Sequence, residues 1–309
     1  MTITFSLAFA QVEKANPAAA DLVRACAFPA PDAIPEEIFT QGGKELGEPL
    51  AQAAGKPLAW DAAVEAAGRF RLIHRNAAKD TLDIHRLVQE VVKDGMDAAT
   101  RRGWAERVVQ ALNEVLPLPK FQNWPQCERL ISHAIAAGRL VEDFGLDLEA
   151  AARLLNKGGY YLMRRARYAE TEPLYQRAPA IFEKALGPDH PSTATSLNNL
   201  AELYRSRGRY GDAEPLYQRA LAIREKALGP DHSDTASSLN NLAALYDYQC
   251  RYVDAEPLYQ RALAIREKAL GLDHPDTLLT VRNYARFLRK RGRADEAEKL
   301  EARFNIPPQ

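Results

Sequence analysis

The stretch RYGDAEPLYQRALAIREKALG, residues 209–229, recurs as RYVDAEPLYQRALAIREKALG at residues 251–271, and the single difference is Gly211 against Val253. A looser copy precedes both at residues 167–187, so the copies are spaced by 42 residues; in chain order these are the first, second and third copies. Units that recur at a fixed spacing indicate a solenoid, because each unit buries its apolar face only by stacking on its neighbours. Such a stack presents an extended concave surface, which favours binding over chemistry.

Each unit is predicted to hold two helices. In the first, apolar residues fall at i, i+3, i+4 and i+7, the spacing of one buried helical face. These residues are Leu197, Leu200, Ala201 and Tyr204 in one copy and Leu239, Leu242, Ala243 and Tyr246 in the next. The second helix ends at Gly229, where glycine can adopt the left-handed conformation that caps a helix.

Side-chain oxygens near the start of each first helix are expected to cap it. The candidates are Ser192 or Thr193, Asp234 or Thr235, and Asp276 or Thr277. Three histidines share a Gly-x-Asp-His loop motif at the same place: His190, His232 and His274. Neighbouring repeats lie on the order of 10 Å apart, which is too far for shared zinc ligands. We therefore expect these histidines to pack in loops and expect no metal site.

The residue pattern distinguishes between two repeat families whose units can have this length. A two-helix unit of 42 residues also fits a HEAT repeat, but the small and aromatic pairs Ala201 with Tyr204 and Ala213 with Tyr217 match the packing code of the tetratricopeptide repeat. The strings Asn-Asn-Leu-Ala and Ala-Glu-Pro-Leu-Tyr-Gln-Arg-Ala-Leu resemble the long units of kinesin light chain. The resemblance covers residues 150–304 and implies an all-α solenoid.

The first copy departs from this pattern. Gly158 and Gly159 stand where later copies have Leu200 and Ala201, and Pro179 stands at the helix position of Leu221. We interpret this copy as a degenerate edge repeat that joins the solenoid to the front half.

The front half is predicted to be a set of small modules. A helical region covers residues 1–57, a winged-helix-like region 58–97, and a connecting helix and linker 98–124, ahead of the solenoid at 125–309. Two β-rich runs, residues 70–74 and 82–85, flank a polar turn and predict one β-hairpin. The fold class is therefore all-α, with a tetratricopeptide solenoid preceded by a small helical and winged-helix region.

Residues 5–95 resemble the helical and winged-helix parts of signalling ATPases of the STAND class with an NB-ARC module. The resemblance rests on ACAFPAPD at 25–32 followed by Ile34-Pro35, and on IHRLVQ at 84–89. In that family a Met-His-Asp-like histidine senses the β-phosphate of ADP, and His85 holds its place between the departures Ile84 and Arg86. The alternative is a hairpin-end histidine that bonds locally.

A nucleotide site is incomplete in this sequence. Gly42-Gly43-Lys44 and Gly55-Lys56 do not complete the Walker pattern G-x-x-x-x-G-K-[ST]. Without that loop we expect no ATPase activity and no bound cofactor. His85 would then sense a nucleotide only if a partner NTPase domain, absent here or encoded separately, supplied it.

Charge, cysteine usage and the lack of catalytic motifs disfavour other functional classes, namely nucleic-acid binding, membrane binding, secretion and catalysis. Lys plus Arg and Asp plus Glu number 41 each in 309 residues, so no overall field draws the chain to nucleic acid or to a membrane. The helix before the hairpin carries Asp61 and Glu65, which disfavours DNA binding. Cys26, Cys127 and Cys250 form no pairing pattern and are expected to be buried thiols in a reducing compartment, in keeping with a cytoplasmic protein. No catalytic constellation occurs, so we predict no enzyme.

The predicted site is a peptide groove on the first helices of the repeats. Its residues are Asn198, Asn199, Arg205, Asn240, Asn241, Arg282, Asn283, Arg286 and Arg289. Asparagine amides donate and accept, so they can hold an extended backbone, as the kinesin light chain resemblance also implies. The arginines, in a stretch from 278 to 294 without an acid, suit carboxylates. The alternatives are amides that cap helices or meet water, and an arginine stripe that serves only as the polar face of a terminal repeat.

These observations predict an adaptor that binds an extended, partly acidic segment of another protein. The alternative is the sensing end of a nucleotide-gated signalling switch. The sequence leaves the partner and the oligomeric state open.

Overall fold

The computed structural model describes residues 2–306, and the side chains of residues 5–306. It consists mostly of helices, as predicted, with one small sheet. The described chain falls into two compact units, Met1–Ile181 and Phe182–Gln309.

The front unit begins with short helices and ends with longer ones. Its helices are α1 (Thr2–Ala15), α2 (Pro17–Cys26), α3 (Glu37–Thr40), α4 (Leu50–Ala54), α5 (Pro57–Arg69), α6 (Arg86–Asp94), α7 (Ala98–Val115), α8 (Trp124–Asp143), α9 (Glu149–Arg164) and α10 (Tyr168–Leu186), the last of which runs across the boundary. The strands are β1 (Ile34–Pro35), β2 (His74–Asn76) and β3 (Thr81–Asp83).

The predicted hairpin is present as β2 and β3, which pair antiparallel. Its first strand starts at His74 rather than Phe70, because α5 continues to Arg69 and Arg71 then takes a left-handed φ of 55°. β1 was not predicted from the sequence, and it pairs with β3 through Ile34 opposite Leu82. A proline is tolerated in β1 because the strand lies at the edge of the sheet.

The glycines of the front unit allow close packing. A Cβ on Gly42 would lie 2.6 Å from the carbonyl oxygen of Ile38 and 2.9 Å from the Cβ of Ala111. Lys44 forms an exposed ion pair with Glu114 at 2.8 Å. A Cβ on Gly159 would overlap the ring of Tyr175. The Gly-Gly-Lys string is thus part of the packing between helices, and Gly159 lets α9 and α10 approach.

The second unit contains helix pairs that match the repeat boundaries. Its helices are α11 (Pro191–Ser206), α12 (Tyr210–Leu228), α13 (Ser233–Tyr248), α14 (Tyr252–Leu270), α15 (Pro275–Lys290) and α16 (Ala294–Arg303). The predicted stripes are buried; Ala201 and Ala243, for example, are fully inaccessible. Gly229 and Gly271 follow their helices with positive φ of 97° and 88°, which favours glycine, but their ψ of 160° and 175° differs from the left-handed helical cap that was predicted.

The caps of the first helices differ from the prediction. Nδ1 of His190 accepts a hydrogen bond from the backbone N–H of Ser192 at 3.1 Å, and His232 and His274 do the same for Asp234 and Asp276. Each histidine occupies the extended N-cap position, whereas Ser192, Asp234 and Asp276 already lie within the helix. The histidine ring therefore caps the helix N-terminus, as serine or aspartate does at other helix starts.

Two buried arginines hold successive repeats together. Arg224 is 7% exposed and donates to Ser238 Oγ at 2.9 Å, to the carbonyl of Asp234 at 3.1 Å and to Thr195 Oγ1 at 3.1 Å. Arg266 makes the same set of bonds one repeat later, to Thr280, Asp276 and Ser237. Each guanidinium therefore joins both first helices that flank it.

One cysteine prediction is wrong. Cys26 and Cys127 are buried, and burial raises the pKa of the Cys26 thiol, but Cys250 is exposed. Cys250 has a φ of 59° at the helix-ending position that Gly208 and Gly292 hold in the flanking copies. The thiol of Cys250 therefore lies at the turn between α13 and α14 and not in the core.

Candidate functional site

The asparagines of the first helices form a hydrogen-bonded chain. Asn283 Nδ2 donates to Asn240 Oδ1 at 3.2 Å, Asn240 Nδ2 donates to Asn241 Oδ1 at 3.3 Å, and Asn241 Nδ2 donates to Asn198 Oδ1 at 3.0 Å. The contacts run from α15 through α13 to α11, so these three helices lie side by side. We call the face that carries these amides and the exposed residues of α11, α13 and α15 the first-helix surface.

The asparagines differ in how much they face the surface. Asn198, Asn199, Asn241 and Asn283 are partly exposed, whereas Asn240 is buried, with 5% of its surface accessible. Each bond of the chain uses one of the two N–H groups of an amide and one of the two lone pairs of another. The partly exposed amides therefore keep donors and acceptors for a ligand, while Asn240 mainly links its neighbours.

The arginines of the predicted site divide into two classes. Within residues 5–306, exposed Arg282 makes no ion pair, and exposed Arg286 makes only a 3.4 Å hydrogen bond to Asn283 Oδ1. These two cations are open to a ligand.

The other two arginines of the predicted site have internal partners. Arg205 Nε holds Glu202 at 2.9 Å, and its guanidinium lies 5.0 Å from the ring centre of Tyr248. Arg289 Nη1 holds the buried carboxylate of Glu301 on α16 at 2.8 Å. Arg293, at the end of the acid-free stretch, likewise pairs with Glu256 and Glu296. Of the predicted row of arginines, only Arg282 and Arg286 lack an acidic partner among the described residues, because acids of neighbouring helices neutralise Arg289 and Arg293.

Several neighbours of the site were not singled out from the sequence. Tyr248 is 47% exposed and stacks on Tyr210 with ring centres 6.1 Å apart. Lys290 Nζ holds Asp247 Oδ1 at 2.9 Å, so α13 and α15 are joined by an ion pair. Comparison of the copies could have identified these residues, because Asp247 and Tyr248 stand where the preceding copy has Arg205 and Ser206.

His85 is an exposed N-cap residue. Its Nδ1 accepts a 3.1 Å hydrogen bond from the backbone N–H of Leu87 at the start of α6. This is the local bonding that the alternative interpretation anticipated. The other ring nitrogen, Nε2, belongs to the same exposed side chain.

A different histidine of the front unit is buried. His133 on α8 is inaccessible, and its Nε2 lies 3.2 Å from the carbonyl oxygen of Ala33, just before β1. A carbonyl accepts only, so Nε2 carries the proton, and Nδ1 has no partner among the described residues. Burial lowers the pKa of His133 to about 4.

The described part of the chain shows neither a metal-binding cluster nor a membrane-spanning helix. No group of three or more His, Cys, Asp or Glu side chains in residues 5–306 is arranged to hold a metal ion. Across residues 2–306, each helix is too short or too polar to serve as a bilayer span.

Comparison with protein families gives two matches. A model described as tetratricopeptide repeat matches residues 148–226, 199–268 and 234–303, which together cover about half of the chain. A model described as a domain of unknown function (DUF7779) matches residues 10–101. The two matches divide the chain into a front module and a repeat array.

One curated relative is a nucleotide-binding leucine-rich repeat (NLR)-like protein of Hyaloscypha variabilis, 33% identical over 201 residues. The match covers 63% of this chain, and the chain spans 18% of the relative. Its description agrees with the resemblance of residues 5–95 to signalling ATPases.

Solved structures show the same fold at low identity. A kinesin light chain protein of Podosopora anserina with nearly identical TPR-like repeats is 21% identical, with a TM-score of 0.52 over 64% of this chain and 93% of that one. Aspartyl phosphate phosphatase F of Bacillus subtilis is 14% identical, with a TM-score of 0.52 over 87% of this chain and 70% of that one.

The helix pairs, their buried stripes and the family match agree with one another. Repeats of this kind form scaffolds for protein–protein interaction. The chain belongs to the tetratricopeptide repeat family.

Proposed function

We propose that the first-helix surface binds an extended, partly acidic segment of another protein, and that the chain acts as an adaptor. The observation that carries the proposal is the pair Arg282 and Arg286, two exposed guanidinium groups one helical turn apart on α15 with no carboxylate beside them in the described structure. Unpaired arginines on one face suit carboxylates, which they hold through two parallel hydrogen bonds.

The amide chain supports the same proposal. An extended peptide offers N–H and C=O groups in alternation, and a partly exposed asparagine can satisfy either. Asn198, Asn241 and Asn283 are fixed by their bonds to other amides, so little side-chain freedom is lost when a peptide binds. Arg205 and Arg289 are given no direct role, because each already holds an internal carboxylate.

The test uses labelled twelve-residue peptides of alternating Glu and Ala or of alternating Gln and Ala. Fluorescence anisotropy with the full chain is expected to show tighter binding of the Glu peptide, and binding that weakens with salt. Arg286→Glu is expected to weaken binding and to reduce its salt dependence. Arg219→Glu on α12, where the native arginine pairs with Glu183 at 2.9 Å, is the control for a change of charge alone.

Two results would remove the proposal. The first is equal affinity for the Glu and Gln peptides. The second is an equal effect of Arg286→Glu and Arg219→Glu, which would mean that net charge, rather than the first-helix surface, governs binding.

We propose as a second candidate that the chain is the sensing end of a nucleotide-gated switch. The observation that favours it is the 33% identity with the NLR-like protein, of which this chain spans 18%. The repeats would bind a partner, and the front module would pass the event to a nucleotide-binding domain.

The DNA next to the coding region is first searched for a Walker loop, and any such domain is co-expressed with this chain. ADP retention is then compared for the wild type and His85→Ala. Faster ADP release from the variant supports the switch, and unchanged release removes His85 from it.

A further inference from the structure

The second and third copies share their second helix but differ in their first. Glu202 and Arg205 of α11 are replaced, 42 residues later, by Ala244 and Asp247 of α13. In the second copy the Glu202 carboxylate accepts two hydrogen bonds. Tyr217 Oη donates to Glu202 Oε2 at 2.8 Å, and Arg205 Nε donates to the same oxygen at 2.9 Å. The buried hydroxyl of Tyr217 is thereby satisfied.

The third copy keeps the tyrosine and lacks the acceptor. Tyr259 occupies the place of Tyr217 and is completely buried. Its Oη has no hydrogen-bond partner among the side chains that the structure describes. Buried polar groups without a partner are rare and costly. The third copy therefore contains a buried hydroxyl whose acceptor is absent from the described side chains.

Charged side chains of both signs act on the Tyr259 hydroxyl. Burial, the largest influence, raises the pKa of the Tyr259 hydroxyl, and Asp247 acts in the same direction, while Arg286 and Arg205 act in the opposite one. Asp247 is already paired with Lys290 at 2.9 Å, and Arg205 with Glu202 at 2.9 Å. Arg286 is the cation of this group that lacks an acidic partner in the described structure.

The third copy also has a smaller side chain at the position of Glu202. Ala244 is partly exposed and carries no group that could accept the hydrogen bond of Tyr259 Oη. The ring of Tyr284 stacks on Tyr259 at 5.8 Å and fixes its orientation. Tyr248 and Arg286, which both act electrostatically on the Tyr259 hydroxyl, are exposed side chains.

We propose that a Glu or Asp side chain of the bound segment enters beside Ala244 and takes the place that Glu202 fills in the second copy. Its carboxylate accepts the hydrogen bond of Tyr259 Oη and pairs with Arg286. This subsite rests on the proposed adaptor function and makes it more specific. It assigns one acidic residue of the partner to one point of the surface.

The first experiment needs no ligand, because it supplies the carboxylate from the chain itself. Ala244→Glu is expected to raise the melting temperature by about 2 °C, and Ala244→Gln to raise it less, since a neutral amide does not pair with Arg286. In a Tyr259→Phe background the advantage of Glu over Gln is expected to shrink. An advantage that Tyr259→Phe leaves intact, or no advantage at all, overturns the carboxylate assignment.

The second experiment measures binding of the labelled Glu–Ala peptide to the full chain. Tyr259→Phe is expected to lower the affinity about tenfold, the usual effect of one hydrogen bond to a charged group. Tyr217→Phe, which removes the equivalent hydroxyl where Glu202 is present, is the matched control and is expected to leave affinity unchanged. Ala244→Glu is expected to weaken binding by filling the subsite.

The outcomes separate the subsite from the function on which it rests. If the wild type prefers the Glu peptide but Tyr259→Phe binds it equally well, the adaptor function stands and the subsite is wrong. If Tyr259→Phe and Tyr217→Phe lose the same affinity, the effect belongs to the fold and the subsite is also wrong. If the wild type does not distinguish the two peptides, the function is wrong, and the melting temperatures alone decide whether this point accepts a carboxylate.

Discussion

Arg224 donates a 2.9 Å hydrogen bond to Ser238 Oγ in the following repeat, and its guanidinium is buried without an ion pair in the described structure. Burial lowers the pKa of Arg224, which remains charged at any ordinary pH. The repeats therefore stack around a cation that is satisfied by hydroxyl and carbonyl oxygens alone. In the first copy the apolar residue Phe182 stands at this position.

Arg224→Ala is expected to lower the free energy of unfolding by about 3 kcal/mol. The substitution leaves a cavity and removes the donors for Ser238 and Asp234. Urea denaturation followed by circular dichroism measures the change. Arg219→Ala on the same helix is the control, because its ion pair with Glu183 is largely exposed and is expected to contribute less than about 1 kcal/mol. Similar losses for the two variants would contradict the role given to Arg224.

Acid is expected to destabilise the front unit through His133. Its folded-state pKa of about 4 lies below the ordinary value, so between pH 6.5 and 4 the unfolded chain binds a proton that the folded chain does not. The cost grows as the pH falls through this window and reaches about 2 kcal/mol at pH 5. Above pH 6.5 His133 contributes no pH dependence.

Urea denaturation at pH 7 and pH 5 checks this expectation, with His133→Gln as the variant that cannot titrate. The difference between the two pH values should shrink in His133→Gln. Exposed His74 serves as the control, and His74→Gln should keep the wild-type difference. A wild-type pH dependence that survives in His133→Gln would mean that other groups cause it.

His232→Ala is expected to cost about 1 kcal/mol because it removes the N-cap acceptor for the backbone N–H of Asp234. His232→Asn should retain most of the stability, since asparagine is among the preferred capping residues. Thermal unfolding of the two variants provides the comparison. If His232→Ala and His232→Asn have the same stability, the ring nitrogen of His232 does not stabilise the helix as a cap.

Arg286 and Arg289 lie three residues apart on one helix and are expected to respond differently to the same change. Arg289→Ala leaves the buried carboxylate of Glu301 without its partner, which is expected to cost about 3 kcal/mol. Arg286→Ala alters an exposed residue and is expected to change stability by less than about 0.5 kcal/mol. Denaturation should therefore separate the two residues without any ligand. Equal effects would contradict the division of the arginines into free and internally paired.

The repeat architecture could be predicted from the sequence because its signals are local. The stripe of Leu197, Leu200, Ala201 and Tyr204 lies within one helix, and the glycine that ends the next helix needs only its own backbone freedom. Recurrence of this pattern every 42 residues then implies that the helix pairs stack on one another. The hairpin of the front half also followed from neighbouring residues, whereas β1 depended on a pairing across some fifty residues and could not be foreseen.

The candidate site was only partly accessible to such reasoning. The sequence alone determined which residues the first helices carry, because helical spacing fixes the face on which a side chain lies. Only the tertiary structure decided that Arg289 is neutralised by Glu301, that Asn240 is buried between its neighbours, and that Tyr259 lacks the acceptor that Glu202 gives to Tyr217. Whether a polar side chain is free depends on partners that other helices bring within about 3 Å, and no local periodicity records those distances.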